Sequence, residues 1–491
     1  MVRAWRYRFR RTTLSLFFCL SGLIGIGFAH KWQLLIGAWL GFIAFGLLVL
    51  GRRRNFLSLL IVVLFGIGLG FWRGTEFLVR INAYQPLYFQ KLTLNVRATE
   101  DAVYGKNSQL TFGGSDVYLE NGAHLTGKLI ISGFGENAIF QGDEVTVTGK
   151  LYPGYGIYQG KISYGQISVT AHHQALVSNI RRRFAAGMQT ALPEPLAPFA
   201  MGLLIGQRAT LPDDIKRDLL MVGLTHIIAV SGYNLTIILQ ASRKLLAKQS
   251  KRLSTLLSVC LIGTFLLLAG ASASIVRAAI VSMLSIAAGY YGRSFRPLNL
   301  LAIAALITAW ANPVYIWSDL SWYLSFLAFF GVMIIAPLIQ NRWSHGWHQT
   351  LIGSVALESI CAELMSVPFV LYIFGQMSFI GLPANVLVVT LVPLAMLLGV
   401  IAGLAGMMLG SISGWIAWPA QVLLNYMLDV AHILSHIPHI FVQDIGFPLS
   451  NMLGIYILIL LLAFVLWRKT NNNNSDIITD MKLPKTEKLS T

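Results

Sequence analysis

Long apolar runs separated by short polar segments dominate the pattern of the chain. Residues 256–268, 380–404 and 452–467 contain no Asp, Glu, Lys or Arg. A helix needs roughly 20 mostly apolar residues to cross a hydrocarbon core of about 30 Å, whereas a membrane-spanning β-strand alternates apolar and polar positions. The runs are uniformly apolar, so they predict an α-helical polytopic membrane protein.

The runs predict about twelve transmembrane helices, each close to the length that a bilayer requires. The predicted spans are residues 12–29, 33–50, 55–72, 225–241, 253–269, 271–290, 297–311, 316–339, 350–372, 380–406, 415–437 and 451–467. Basic loops, such as residues 51–54, lie on one side of this arrangement, and the positive-inside rule assigns that side and both termini to the cytoplasm. The first run resembles a signal peptide, but a second run follows closely, so we interpret it as a retained helix.

The pattern changes between residues 75 and 172. Residues 92–97 and 143–149 alternate apolar and polar side chains, and glycine-containing turn signals separate them. Such short strands predict a small antiparallel barrel or sandwich. The Gly142-Asp143-Glu144 entry into an alternating strand favours an OB-like barrel, on the extracellular or periplasmic side. Four tyrosines could stack bases there, although tyrosines also favour strands for structural reasons alone: Tyr152, Tyr155, Tyr158 and Tyr164.

These patterns divide the chain into five predicted segments. They are N-terminal helices (1–74), the β insert (75–172), amphipathic interfacial helices (173–222), a transmembrane domain (223–467) and a disordered cytoplasmic tail (468–491). Only 12% of the residues are charged, against about 25% in soluble domains. Basic cytoplasmic loops account for most of the net charge of +17, and the remaining excess indicates an anionic partner.

Several polar residues interrupt the apolar segments. His226, Ser231 and Asn234 fall in one predicted helix, where Ser231-Gly232 could open the backbone, and Arg277 begins another. Polar groups at membrane depth are costly and usually paired or functional, so the alternatives are a lined path and a packing network. The carboxylates Asp319, Glu358 and Glu363 are available partners for Arg277, and the sequence alone does not choose among them.

Metal, cofactor and redox sites are not predicted. Asp429, His432 and His436, with His439 nearby, have spacings that could gather ligands on a helix face, but histidines at a membrane boundary are the simpler interpretation. The chain has no HExxH, P-loop or GxGxxG motif in context. The three cysteines lie in apolar segments and are interpreted as buried small side chains.

Taken in order, these motifs resemble the competence domain of the ComEC family of DNA-uptake channels. The matching elements are Gly223 to Gly232, then Ser274 with Arg277 and Ala278, then Asp319 through Ser321, Leu324 and Ser325 to Ala328, flanked by Gly202 to Arg208 and by Ala384-Asn385. Two departures are Asn234, where relatives often have His, and the absence of the His-x-His-x-Asp-His motif of a metallo-β-lactamase-like domain. The second departure implies that this chain is not a nuclease.

The resemblance implies transport of single-stranded DNA across the cytoplasmic membrane during natural transformation. The implied path residues are Arg208, Lys216, Arg217, His226, Ser231, Asn234, Ser274, Arg277, Asp319, Ser321, Ser325 and Asn385. The implied partners are single-stranded DNA, the bilayer, a DNA-receptor protein outside, and motor or single-strand-binding proteins inside. A small-solute or lipid-linked transporter with broken helices is the competing interpretation, and an intramembrane hydrolase using Glu358, Glu363 and His226 is a weaker one.

Overall fold

A computed structural model describes most of the chain. The described residues are 10–31, 56–104, 109–136, 138–172, 176–206, 211–228, 250–269, 273–292, 296–340 and 351–471. The predicted span 33–50, most of the span 225–241, and the predicted tail beyond residue 471 lie outside them. The chain divides into two compact units: unit 1 is Met1–Asn179 with Ala302–Trp322, and unit 2 is Ile180–Leu301 with Tyr323–Thr491.

The described helices are numbered here in chain order. They are α1 Arg11–Ala29, α2 Phe56–Asn82, α3 Leu176–Ala191, α4 Leu196–Ile205, α5 Asp213–Met221, α6 Thr225–Ile228, α7 Lys251–Ala269, α8 Ala273–Tyr290, α9 Pro297–Ala311, α10 Val314–Ser318, α11 Leu320–Phe330, α12 Ala336–Gln340, α13 Leu351–Phe374, α14 Gly381–Val388, α15 Val392–Leu409, α16 Ser413–Ser435 and α17 Leu449–Asn471. The strands are β1 Lys91–Ala98, β2 Val103–Tyr104, β3 Leu110–Leu119, β4 His124–Leu125, β5 Leu129–Phe134, β6 Glu144–Pro153, β7 Gly160–Ala171, β8 Met377–Ser378 and β9 Phe441–Val442.

Glycines bring α1 and α2 into close contact within unit 1. A Cβ on Gly25 would overlap the carbonyl of Ile67, and one on Gly70 would overlap the carbonyl of Gly22. Small residues let helix backbones approach closely, which is how helices associate where lipid removes the hydrophobic driving force. These glycines therefore act as packing residues between the two helices.

Helix α2 continues to Asn82, ten residues beyond the predicted span and into the segment assigned to the insert. Glu76 pairs with both Arg73 and Arg80 at helical i,i+3 and i,i+4 spacing, and such pairs stabilise an exposed helical turn. Arg73 Nε also donates to the carbonyl of Trp310 at 2.9 Å. The charged residues therefore extend the helix beyond its apolar part.

Five strands of the insert close into a ring of pairings. Strand β1 pairs with β3 and β6, β6 pairs with β7, β7 runs parallel to β5, and β5 pairs with β3. Alternate side chains of each strand face a core that contains the fully buried Leu94, Phe112, Leu129 and Val147. The predicted small β domain is confirmed as an element of the fold.

Unit 2 packs its helices around a core in which α4 is central. All ten residues of α4 are buried, and they join residues of α14, α15 and α16 in one apolar cluster. The prediction of amphipathic interfacial helices over 173–222 therefore does not fit α4, because this helix is apolar on every side. It describes α3 and α5 better, since α5 buries only Leu219.

Six described segments are long and apolar enough to cross a membrane. They are Arg11–Ala29, Leu57–Leu87, Leu320–Gln340, Ala356–Phe374, Gly381–Leu409 and Leu449–Arg468. The helices Ser274–Tyr290 and Pro297–Ala311 are apolar but shorter. A multi-pass membrane protein is therefore supported, and the count of about twelve stays a prediction that rests on helix length.

Candidate nucleic-acid interface

The outward face of strands β1 and β6 carries a ladder of cross-strand pairs. From one end to the other the pairs are Arg97 with Glu144, Asn95 with Thr146, Thr93 with Thr148, and Lys91 with Lys150. Side chains directly opposite each other across a sheet are the pairs that interact. The ladder therefore changes from an opposite-charge pair at one end to a like-charge pair at the other.

We call the first of these the charge-paired end. Arg97 lies 3.4 Å from Glu144 and 3.7 Å from Asp116. Next to it, the Thr146 hydroxyl lies 2.7 Å from Asn95 Oδ1 and 2.7 Å from the hydroxyl of Thr170. The charges at this end are therefore paired, and the hydroxyl and amide groups are hydrogen-bonded to one another.

We call the second the lysine–aromatic end, and it consists of Lys91, Lys150, Lys161, Phe89 and Tyr152. Lys161 on β7 is directly opposite Tyr152 on β6. The ring of Phe89 meets that of Tyr152 edge to face with centroids 6.0 Å apart, and the Lys150 ammonium lies 5.8 Å from the Tyr152 centroid. Phe89 and Tyr152 are 61% and 37% exposed, so both rings are accessible.

The lysines of this end have no acidic partner among the ion pairs of the described residues. Like charges placed directly opposite in a sheet destabilise the pair. An anion lying across the end would relieve that repulsion, and exposed aromatic rings beside it could stack on planar groups. The chemistry of the end thus suits a ligand that alternates phosphates and bases.

Of the four tyrosines that could stack bases, three are exposed and one is half-buried. Tyr155 and Tyr164 are 62% and 70% exposed, and Tyr164 lies 6.5 Å from Phe134 in a ring contact of its own. Tyr158 is half-buried, and burial with the nearby Glu100 and Tyr155 raises its pKa to about 12. Base stacking by these tyrosines stays a prediction, and Tyr158 is the least accessible of the four for it.

Sequence reasoning missed Phe89 and the three lysines. Phe89 precedes β1 with a positive φ of 66°, and its amide donates to the Leu151 carbonyl at 2.7 Å. Nothing in a single sequence indicates this turn. The lysines could have been found from the register of the strands, since each occupies an outward position.

The predicted path residues of unit 2 fall into several environments. Arg208, Ser231 and Asn234 lie outside the described residues. Lys216 donates to Asp213 at 3.0 Å, while Arg217 and His226 are exposed. Residues Ser274 and Ser325 are partly buried.

Two sequence motifs meet at Gly223, whose φ of +75° suits glycine. A Cβ on Gly223 would lie 3.4 Å from Ser378 Cβ and 3.5 Å from Gly381 Cα. Beside this contact, Asn385 donates to the carboxylate of Glu363. The structure therefore brings together the start of the Gly223 motif, the Gly381–Asn385 segment and the half-buried carboxylate of Glu363.

Arg277 is 1% exposed and is the largest fully buried side chain of the described residues. The structure thus places the side chain of Arg277 inside the protein, where a charge is tolerated only with compensating interactions. Its role in a path for DNA stays a prediction.

Asp319 performs a local structural task in unit 1. Its carboxylate Oδ1 accepts from the Ser321 amide at 3.0 Å, as an N-cap does at the start of a helix. The residue is 7% exposed. This arrangement favours a role in forming α11 over contact with a ligand.

Asp429, His432 and His436, whose spacing could gather ligands on one helix face, do not come together as a group of three among the described residues. Asp429 is exposed, and the carboxylate that reaches His432 is Asp218 on α5, with Oδ2 2.8 Å from Nδ1. No group of three or more potential metal-ligand side chains occurs within the described part of the chain.

Comparison with known proteins relates these features to a family. The family model described as "Competence protein" matches residues 203–469, which is more than half of the chain. The chain belongs to the competence protein family. The matched segment of this competence protein contains α5 through most of α17, including Gly223, Arg277 and Asn385.

One curated relative is ComE operon protein 3 of Bacillus subtilis (strain 168). It is 23% identical over 229 residues, which are 46% of this chain and 29% of the relative's length. The match thus covers under a third of that protein. No solved structure matches the competence protein described here.

Proposed function

We propose that this competence protein carries single-stranded DNA across the cytoplasmic membrane during natural transformation. Family membership supports a role in DNA uptake, and the observation that carries the choice of ligand is the lysine–aromatic end of the β insert. Lysines there match phosphates, and Phe89 and Tyr152 offer rings to bases without selecting a sequence.

The insert would act as a receiving domain outside the cell. The order of its five main strands around the ring supports an OB-like barrel, a fold that binds oligonucleotides. We place both termini in the cytoplasm and count about twelve crossings, because basic loops cluster on one side of that arrangement.

The helix bundle of unit 2 would form the path across the membrane. A polyanion needs a wet route whose basic groups meet phosphates without holding them tightly. Among the described residues, the exposed Arg217 and His226 and the half-buried Lys216 are the proposed contacts. Buried Arg277 and the Glu363–Asn385 pair would hold the walls of the route in position.

Replacing Lys91, Lys150 and Lys161 by Gln tests the proposal in cells. We expect transformation frequency to fall while the protein stays in the membrane at its normal amount. Labelled DNA should then remain outside the cytoplasm. An unchanged transformation frequency, with normal expression, contradicts a receiving role for this end of the insert.

Deleting the gene distinguishes this proposal from transport of a small-solute or lipid-linked substrate. If the substrate is a small solute or a lipid-linked molecule, the deletion leaves transformation at the parental frequency and impairs growth or envelope composition instead. DNA uptake predicts the reverse pattern.

A further inference from the structure

His432 lies in the last turn of α16, and His436, four residues later, is the residue that directly follows the helix. Their ring centroids are 4.3 Å apart, with an angle of 62° between the planes. Both rings are accessible, since the side chain of His432 is 64% exposed and His436 is exposed. Residues four apart on a helix are neighbours on its surface, so both imidazoles can reach one ligand.

The hydrogen bonds of the two rings fix the same tautomer in each. Asp218 Oδ2 lies 2.8 Å from His432 Nδ1, and the carbonyl oxygen of His432 lies 2.8 Å from His436 Nδ1. Carboxylate and carbonyl oxygens only accept, so each neutral ring carries its proton on Nδ1. The Nε2 atoms are left with their lone pairs.

Ser435 supports this arrangement from the same helix. Its Oγ lies 2.9 Å from Asp218 Oδ1 and 2.8 Å from the His432 carbonyl, and also 3.3 Å from His436 Nδ1. The hydroxyl has one proton, and the Asp218 carboxylate is the strongest of these acceptors. The carboxylate is thereby held by two side chains of α16 at once.

We infer that His432 and His436 bind one first-row transition-metal ion through their Nε2 atoms, with Asp218 as a positioning residue. Metal-binding histidines nearly always donate the other ring N–H to a carboxylate or a backbone carbonyl, and these rings do both. Imidazole ligands suit Cu²⁺, Ni²⁺ and Zn²⁺. Helix α5 supplies no ligand to the ion and contributes only the supporting carboxylate of Asp218.

The two exposed imidazoles leave room for further ligands. His436 borders a cavity of about 500 Å³ that is also lined by His439 and Gln443. The described residues hold no group of three potential metal-ligand side chains, so the site has two protein ligands and is completed by water. Such a site binds metal reversibly and depends on its supporting carboxylate.

Copper binding to the full chain in detergent tests the inference, using protein purified with a tag that contains no histidine. We expect one Cu²⁺ per chain, an electron paramagnetic resonance spectrum with two imidazole nitrogens, and weaker binding of Ni²⁺ in the usual order of affinity. His432→Gln and His436→Gln should each remove one nitrogen from the spectrum. Copper binding and spectra that neither change alters would overturn the site.

Asp218→Asn tests the positioning role separately. Loss of such a supporting group typically lowers metal affinity about 10–100-fold, whereas the two-nitrogen spectrum at saturating copper should persist. Asp429→Asn on the same helix is the matched control and should leave affinity unchanged. An Asp218→Asn protein that unfolds at the wild-type temperature without metal and binds copper with wild-type affinity refutes the role of Asp218.

Discussion

The two ends of one sheet face differ in how their charges are balanced. At the charge-paired end, Arg97 has two acidic neighbours. At the lysine–aromatic end, Lys91 and Lys150 are directly opposite each other, and Lys161 faces a tyrosine. Both ends lie on strands β1 and β6, so the contrast between them is one of side-chain chemistry.

The contrast also separates a surface with internal ion pairs from the proposed DNA-binding surface. Exposed ion pairs such as those of Arg97 contribute about 0–1 kcal/mol to stability. The directly opposed Lys91 and Lys150 do not stabilise the fold unless an anion is bound between them. Binding energy can therefore be gained at this end without a matching loss of internal interactions.

The largest expected effect comes from removing the two rings of the lysine–aromatic end. Base stacking is worth about 1–3 kcal/mol per base, so the double change Phe89→Ala and Tyr152→Ala should weaken single-stranded DNA binding by about 2–6 kcal/mol. Fluorescence anisotropy with the full chain in detergent measures this. Tyr118→Ala, an exposed aromatic on β3, is the control and should leave the affinity unchanged.

The next effect comes from the lysines. Each phosphate contact to a single strand contributes about 0.7 to the slope of log affinity against log salt. Replacing Lys91, Lys150 and Lys161 by Gln should lower that slope by about 2, with most of the loss at low salt. If the slope stays at its wild-type value, phosphates are bound elsewhere on the chain.

A single change at Lys161 separates the effect of charge from that of contact with an aromatic ring. Lys161→Gln should reduce the slope by about 0.7, because this lysine has no ring stacked on it in the described contacts. Lys150→Gln also removes the contact with Tyr152. Lys150→Gln should therefore lower the affinity for DNA more than Lys161→Gln does at every salt concentration.

The smallest effect is expected at the charge-paired end. Changing Arg97 and Glu144 together to Gln keeps the net charge, and surface changes of this kind are usually within about 0.5 kcal/mol in stability. DNA affinity and its salt slope should both remain at wild-type values. A fall in DNA affinity as large as that of the lysine variant would mean that the two ends do not differ in function.

Much of the fold could be predicted from the sequence. Uniform apolar runs identified the spanning helices, and alternation with glycine turns identified the β insert. The end of α2 could not be predicted from hydropathy, because Arg73, Glu76 and Arg80 extend the helix by pairing with one another. The burial of α4 was missed for the opposite reason, since a short apolar helix carries no face pattern.

The site was predictable only in part. The tyrosines of the insert were singled out from composition, but their grouping depends on strand register, and Tyr158 turned out to be half-buried. The partner of His432 is Asp218, which is 214 residues away in the chain. Spacing along one helix suggested Asp429 instead, because a single sequence shows only local neighbours.

The most direct test of the central claim is a cross-linking map. A single strand that carries photoreactive bases is bound to the purified full chain, irradiated and mapped by mass spectrometry. We predict cross-links at Phe89 and Tyr152 and their immediate neighbours, and loss of those cross-links in the lysine variant. Cross-links concentrated around Arg97 and Asp116, or absent from the insert altogether, would contradict the assignment of the lysine–aromatic end as the receiving surface for DNA.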